Sequence, residues 1–243
     1  MKRGLLLLLI LVILFSGCTQ QNEQPSAGPV TKKMIKELGG PYNGSLWVYS
    51  TVYKGKPYNA TTIAFTVNGV DYSGYMWDPS FTPSLDWIKN NTSPDARFIC
   101  WWDYAGMLMG YAGRYAVVYA PSKEILDTVV GWNAREEALI PHEIIKDVAT
   151  ALTSEDPEVS LKIAEKYGAD CFYVTKNDVS YFPIILRAAG KNMSEYIELS
   201  DNEWDVKKPV RNVLLARMLK GEDIPGFKLE YNDGNVIIYR VLK

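Results

Sequence analysis

Residues 2–28 decide how much of this chain is available to fold. Lys2 and Arg3 precede an unbroken apolar run, Gly4–Phe15, and then Ser16-Gly17-Cys18 opens a polar stretch that lasts to Gly28. A charged start, a 12-residue apolar centre and small residues before a cut site read as a secretory signal over 1–17. As a helix the run would rise only ~18 Å, short of the ~30 Å hydrocarbon core of a bilayer, so a spanning helix is the weaker reading. The remainder is long enough for one well-buried domain, or one domain with a small appended unit.

Phe15-Ser-Gly-Cys18 also resembles the lipobox of prokaryotic lipoproteins, in which the cysteine is lipidated after cleavage. Gln20–Gly28 (QQNEQPSAG) reads as part of a tether over 18–28 that would hold a folded domain off a membrane. The expected address is the extracytoplasmic face of a cell membrane, reached through a lipid anchor on Cys18. An exported chain can form disulfides, and Cys100 and Cys171 allow one bridge; both fall in apparent strands, so two buried free thiols are the alternative. Sequons at Asn43, Asn59, Asn90, Asn91 and Asn192 mark candidate glycosylation sites in surface loops.

The formal charge of −2 offers no basic excess to neutralise phosphates, which argues against nucleic acid as a partner. His142 is the sole histidine, which excludes multi-histidine metal sites and leaves one candidate for a His-dependent triad. No Gly-rich phosphate loop, C-x-x-C, G-x-S-x-G or H-E-x-x-H is present, so no cofactor, metal or catalytic residue is assigned. With 16 Tyr, 7 Trp and 7 Phe, the chain is instead rich in side chains that grip peptides or stack on sugars.

Along the chain, Leu46–Tyr53, Thr61–Val67 and Val70–Trp77 alternate as an antiparallel patch. Asn68-Gly69 is a strong two-residue hairpin signal, because both residues tolerate positive φ. A short helix is expected at Ser84–Lys89 and strands at Arg97–Trp101 and Tyr115–Tyr119. Helices are expected from Pro141, over Pro157–Tyr167 with Thr153 or Ser154 as cap and Gly168 as stop, over Val179–Ala189 and over Val210–Leu219. Cys171–Thr175 reads as a strand, and Phe227–Tyr231 with Val236–Val241 as a closing hairpin. The fold class is therefore an α/β (mixed α+β) core with an N-terminal antiparallel β patch and a C-terminal β-hairpin, divided into a β-rich unit over 29–80 and a second unit over 81–243.

One local feature stands apart: Trp101-Trp102-Asp103-Tyr104, after an apolar strand and before Ala105-Gly106. Two indoles supply a rigid apolar wall, and the carboxylate beside them can accept a hydrogen bond from an alcohol. Such a pocket selects Ser or Thr, since a partner lacking the hydroxyl leaves the carboxylate unpaired. The alternative is that the indoles fill core and surface while Asp103 caps the next turn.

Trp101-Trp102-Asp103-Tyr104-Ala105 resembles the WWDYG motif of the oligosaccharyltransferase catalytic subunit, and residues 81–243 follow that family's C-terminal soluble domain in order. The resemblance runs from Leu85–Thr92 through Ser154–Tyr167 and Ala169–Val174 to the ending, Met218–Glu222 and Gly226–Val241. It implies that Trp101, Trp102 and Asp103 form a pocket for the Ser/Thr of an acceptor sequon, supported by Tyr104. A second family element, D-x-x-K-x-x-x-M/I, is matched at Asp178 and Ile185, with Tyr181 in place of the lysine; Ile185 would pack against a threonine methyl. The motif glycine is replaced by Ala105, whose methyl disfavours positive φ. The resemblance further implies that transfer chemistry needs a multi-helix membrane domain, and no apolar run after residue 28 is long enough to span. The expectation is a domain that binds or presents Ser/Thr-containing polypeptide, accessory to N-glycosylation and partnered by acceptor polypeptide or membrane glycosylation machinery, without its own transfer activity. A carbohydrate-binding surface, or a structural envelope protein with a degenerate pocket, is the alternative.

Overall fold

The alternating segments after residue 29 build two sheets around one continuous core. The computed structural model describes residues 29–53, 55–127, 136–200 and 203–242; the signal, Cys18 and the tether lie outside them.

The first sheet is an antiparallel meander, β1 (Thr31–Gly39), β2 (Gly44–Tyr53), β3 (Lys56–Val67) and β4 (Val70–Met76), in that spatial order. Asn68 (φ 50°) and Gly69 (φ 79°) form the β3–β4 turn, the left-handed pair that the Asn-Gly signal demands. Ile63, Phe65 and Val67 alternate inward along β3 and are buried. Strand β1 is not legible in the sequence: TKKMIKELG alternates poorly because nearly all of it is exposed at a sheet edge, where lysines also discourage further pairing.

The second sheet has the order β10-β11-β7-β5-β6. Strands β5 (Arg97–Ile99), β6 (Tyr115–Ala116) and β7 (Cys171–Thr175) run parallel, while β11 (Val236–Val241) pairs antiparallel with both β7 and β10 (Phe227–Asn232). Strand β7 is buried along its whole length, as a central strand between covered faces must be. Helices α1 (Thr82–Asn91), α2 (Lys123–Leu126), α3 (His142–Thr153), α4 (Pro157–Tyr167), α5 (Asp178–Ala188), α6 (Met193–Tyr196) and α7 (Leu214–Leu219) complete the mixed α+β core. A small hairpin, β8 (Ile197–Ser200) with β9 (Glu203–Val206), comes after α6. No helix among the described residues is long and apolar enough to cross a membrane.

The two sheets meet at a π-helical segment, Gly106–Tyr111, in which Ala112 N–H bonds Met107 C=O at 3.0 Å. A methyl group on Gly106 would come within 2.6 Å of both Ile63 Cγ2 and Tyr75 Cβ, and one on Gly44 would strike the Gly110 carbonyl. These glycines let backbone and side chains of the first sheet seat directly on the segment that succeeds the Trp-Trp-Asp-Tyr run. Phe65, Val67 and Tyr72 accordingly belong to the same buried cluster as Phe98, Trp101 and Tyr173.

Four local expectations are corrected. Strand β5 stops at Ile99, and Trp101 instead begins a 3-10 turn, with Tyr104 N–H bonding Trp101 C=O at 3.1 Å. The Tyr115–Tyr119 strand is paired only at Tyr115–Ala116. The expected helix over Val210–Leu219 is split, because Val213 is extended (φ −66°, ψ 148°) and Leu214 N–H is committed to Ser154 C=O at 2.7 Å. Asp156, rather than Thr153 or Ser154, caps α4, accepting Glu158 N–H at 3.0 Å, while Gly168 (φ 61°) closes that helix as expected.

Candidate functional site

Trp101–Tyr104 leaves the end of β5 and turns at once, which aims its side chains into the space between the two sheets and the start of α5. The indoles of Trp101 and Trp102 lie against each other with ring centroids 4.0 Å apart and planes tilted by 35°. Both are closed off, at 1% and 4% exposure, and Trp101 Nε1 is buried without a hydrogen-bond partner. They wall the site rather than offering open stacking faces. Ala105 sits at φ −59°, ψ −41°, ordinary right-handed backbone, so the methyl that replaces the motif glycine causes no strain.

Asp103 is the member of this run that stays partly open to solvent. Burial pushes its carboxyl up to about 7, against the opposing pull of a hydrogen bond from its own backbone N–H and another from the Tyr181 hydroxyl. Tyr181 thus stands where the resemblance expects a lysine and meets the carboxylate as a neutral donor. The negative charge of Asp103, then burial, then Asp178 raise the Tyr181 phenol well above its ordinary value. The geometry also brings in Tyr75 from β4, whose hydroxyl donates to Tyr119 C=O at 2.6 Å; burial first, and the Asp103 charge second, raise its pKa.

Asp178 opens α5 and is 1% exposed. One of its oxygens accepts Thr175 N–H at 2.7 Å while Thr175 Oγ1 accepts Asn177 N–H at 3.1 Å, a capping-box arrangement that explains the aspartate as a helix start. Thr175 also donates to the Tyr104 hydroxyl at 2.6 Å, which sets that phenol near enough to Asp178 to act on its pKa. The other carboxylate oxygen, Oδ1, is buried without a partner. Burial pushes Asp178 up to about 7, partly offset by the Thr175 and Tyr104 hydrogen bonds, and the Asp103 charge adds to the rise. Both carboxyls are thus eased by neutral neighbours, the backbone and a phenol beside each, rather than by a cation. Tyr104 and Tyr181 face each other edge-on with centroids 6.5 Å apart, joining the two aspartates into one cluster.

Asp103, Tyr104, Asp178 and Tyr181 therefore converge, while Trp101 and Trp102 pack on each other at the start of the same turn. Ile185 lies further along α5 and is fully buried in the core. Sequence reasoning misses Tyr75 and Thr175, whose involvement depends on contacts across the chain that no local pattern announces.

Other candidates fall elsewhere. Cys100 and Cys171 are buried thiols, not bridged to each other. Cys100 comes just after β5 and Cys171 opens the parallel strand β7, where Phe98, not Cys100, stands opposite it. All five sequon asparagines are exposed, but not all in loops: Asn59 lies in β3 and Asn90 and Asn91 in the last turn of α1, while Asn43 takes a left-handed turn position (φ 48°) and Asn192 caps α6 through Ser194 N–H at 3.2 Å. His142 Nδ1 lies 2.9 Å from Ser122 Oγ and 3.8 Å from Glu124, but serine and acid share the same ring nitrogen. A relay needs them on opposite nitrogens, and Ser122 is fully buried as the cap of α2, accepting Ile125 N–H at 3.3 Å. Among the described residues no cluster of three or more His, Cys, Asp or Glu side chains is arranged to hold a metal ion.

No family model matches the chain. Its sequence is similar to the dolichyl-diphosphooligosaccharide–protein glycosyltransferase subunit STT3 of Dictyostelium discoideum, at 24% identity over 221 residues, 84% of this chain and 28% of that protein. A second match, to the stt3 subunit of Schizosaccharomyces pombe, is 31% identical over 74 residues, 30% of this chain and 9% of the relative. The chain thus spans less than a third of the curated relatives it matches. Among solved structures it is similar to the C-terminal globular domain of oligosaccharyltransferase from Archaeoglobus fulgidus, with a TM-score of 0.47 at 20% identity, covering 68% of this chain and 98% of that domain. Motif and sequence match point the same way: the chain is similar to part of the STT3 subunit of oligosaccharyltransferase.

Proposed function

We propose that the chain is a membrane-tethered, extracytoplasmic lipoprotein whose domain binds the Ser or Thr side chain of an acceptor polypeptide, as an accessory to N-glycosylation and without transfer chemistry of its own. Asp103 is the receptor, Trp101 and Trp102 are the wall behind it, and Tyr104, Asp178 and Tyr181 set its surroundings. The single observation carrying this reading is that Asp103 is a desolvated yet partly open carboxylate whose pKa is opposed in its rise by an alcohol beside it, the Tyr181 phenol. A ligand hydroxyl would take that phenol's place, and a valine could not, because it would leave the carboxylate unpaired. Ile185, fully buried, contributes packing beneath α5 in this reading. The membrane partners would be the glycosylation machinery that consumes the presented polypeptide.

A degenerate pocket is favoured by one observation, the near-complete closure of both indoles. Titrating the chain with a peptide containing Asn-Ala-Thr and a control containing Asn-Ala-Val separates the two. Preference for threonine supports the receptor; equal or absent binding supports a pocket that only holds the fold.

A further inference from the structure

The first sheet has a face and an end that the alcohol site does not use. Along β1 and β2, Lys32 pairs with Tyr49 and Met34 with Trp47, and Trp47 in turn faces Thr62 of β3. Alternation places these side chains on the face opposite Ile63, which packs on the π-helical segment. Lys32 Nζ lies 4.1 Å from the Trp47 ring centroid and 5.5 Å from that of Tyr49. Met34 is 41% exposed, and Val30, at 44%, continues the apolar surface toward the end where β1 begins and the β2–β3 hairpin turns, while Val52, 48% exposed, lies at that end on the other face.

Charge is segregated toward the same end. Residues 29–36 and 44–70 contain five lysines and no aspartate or glutamate, in a chain whose formal charge is −2. The nearest acids, Glu37 and Asp71, belong to the opposite end of the sheet, where Asp71 accepts the Thr66 hydroxyl at 2.7 Å. Indole and phenol rings beside lysines and scattered aliphatic groups have the composition that settles at a headgroup layer. The chain beyond this end leads back through the polar stretch 18–28 to the apolar run Gly4–Phe15. Eleven residues reach at most ~40 Å even when fully extended, so an anchored run keeps the basic end close to the bilayer.

We propose that this face of the first sheet, from the β2–β3 hairpin to Trp47, is a membrane-docking surface that lies on an anionic lipid bilayer, with Lys32 and Lys56 on headgroups and Val30, Met34 and Trp47 at the interface. It does not depend on lipidation of Cys18, because an uncleaved apolar run would bring the same end to the same surface, nor does it depend on the reading of Asp103. Docking would fix which way the domain faces above the membrane, something a tether alone does not do.

The test reconstitutes the full chain in nanodiscs of brominated lipid, either zwitterionic or containing anionic phosphatidylglycerol, and reads the share of tryptophan emission removed by Trp47→Phe. The expected result is quenching of that share in anionic discs, its loss in zwitterionic discs and in 1 M salt, and its loss in a Lys32→Glu/Lys56→Glu variant with an unchanged circular dichroism spectrum. Unquenched Trp47 emission in anionic discs overturns the proposal, as does quenching that is indifferent to lipid charge or to the charge reversal.

Discussion

The Tyr181 phenol and the Asp103 carboxylate act directly on each other: the phenol opposes the rise that burial imposes on the carboxyl, and the carboxylate charge is the largest cause of the rise of the phenol, so the receptor at the centre of this site already has an alcohol beside it. Because Tyr181 is uncharged, it satisfies one acceptor without neutralising the carboxylate, and Asp103 remains raised to about 7. A lysine at 181 would do both. Tyr181→Lys is therefore expected to pull the Asp103 pKa back toward the ordinary carboxylate range and move the pH midpoint of threonine-peptide binding downward. Peptide titrations from pH 5 to 8 in the two proteins read that shift; an unchanged midpoint would show that Asp103 does not govern binding.

Stability is expected to fall as pH rises through neutrality. Asp178 is raised in the folded state to about 7 from an ordinary 3.8, so its contribution is fully present below the unfolded value and lost as pH rises toward the folded one. Asp103, also raised to about 7, acts in the same direction. Urea unfolding is expected to give a chain less stable at pH 8 than at pH 5.5 by about 2 kcal/mol for each raised carboxyl, at the slope of about 1.36 kcal/mol per unit for one such group. Asp178→Asn keeps an acceptor for Thr175 N–H and should flatten much of that dependence.

Arg114 is a structural keystone outside the motif. It is 8% exposed, and its guanidinium donates to the carbonyls of Lys89 and Thr92 at the end of α1 (3.0 Å each), to those of Ala112 and Gly113, and to Thr92 Oγ1. One planar cation thereby closes the last turn of α1 and holds the exit of the π-helical segment. Arg114→Ala is expected to cost about 3 kcal/mol, because several buried carbonyls lose their donor together. Arg114→Lys should recover only part of it, as an ammonium cannot span the same set of acceptors, and chemical denaturation of the three proteins measures both.

The contact between Gly44 and Gly110 is expected to be intolerant of any side chain. A methyl at Gly44 would overlap the Gly110 carbonyl, and no flexible neighbour can yield there. Gly44→Ala should lower the unfolding midpoint and loosen the first sheet from the rest, read as faster amide exchange along β2 and β3. Gly55→Ala, which meets no atom within 4 Å, serves as a milder comparison whose only strain is its positive φ of 73°.

Legibility follows the range of the interactions involved. Asn68-Gly69, the Gly168 stop and the alternation of β3 are local, and each is readable because one or two residues carry the whole physical reason. Trp101–Tyr104 is also visible as a run, and its resemblance locates the second aspartate at 178. Tyr104 and Thr175, by contrast, are 71 residues apart, and Tyr75 and Tyr119 are 44 apart. Nothing in either neighbourhood announces that they meet. The edge strand β1 is hidden because exposure removes the period-2 pattern on which strands are recognised. The closure of the indoles depends on how tightly the first sheet seats on the glycines of the π-helical segment, which composition does not encode.

The most direct test of the alcohol receptor is the affinity of an Asn-Ala-Thr peptide for the wild-type chain, Tyr181→Phe and Asp103→Asn, measured by calorimetry at pH 8, where Asp103 is ionised. Removing the phenol that occupies the receptor should tighten binding by roughly three- to tenfold, the worth of one competing hydrogen bond, while Asp103→Asn should abolish the preference over Asn-Ala-Val. Affinity that is unchanged or weakened in Tyr181→Phe, with threonine and valine peptides treated alike throughout, would contradict the claim that Asp103 is an alcohol receptor.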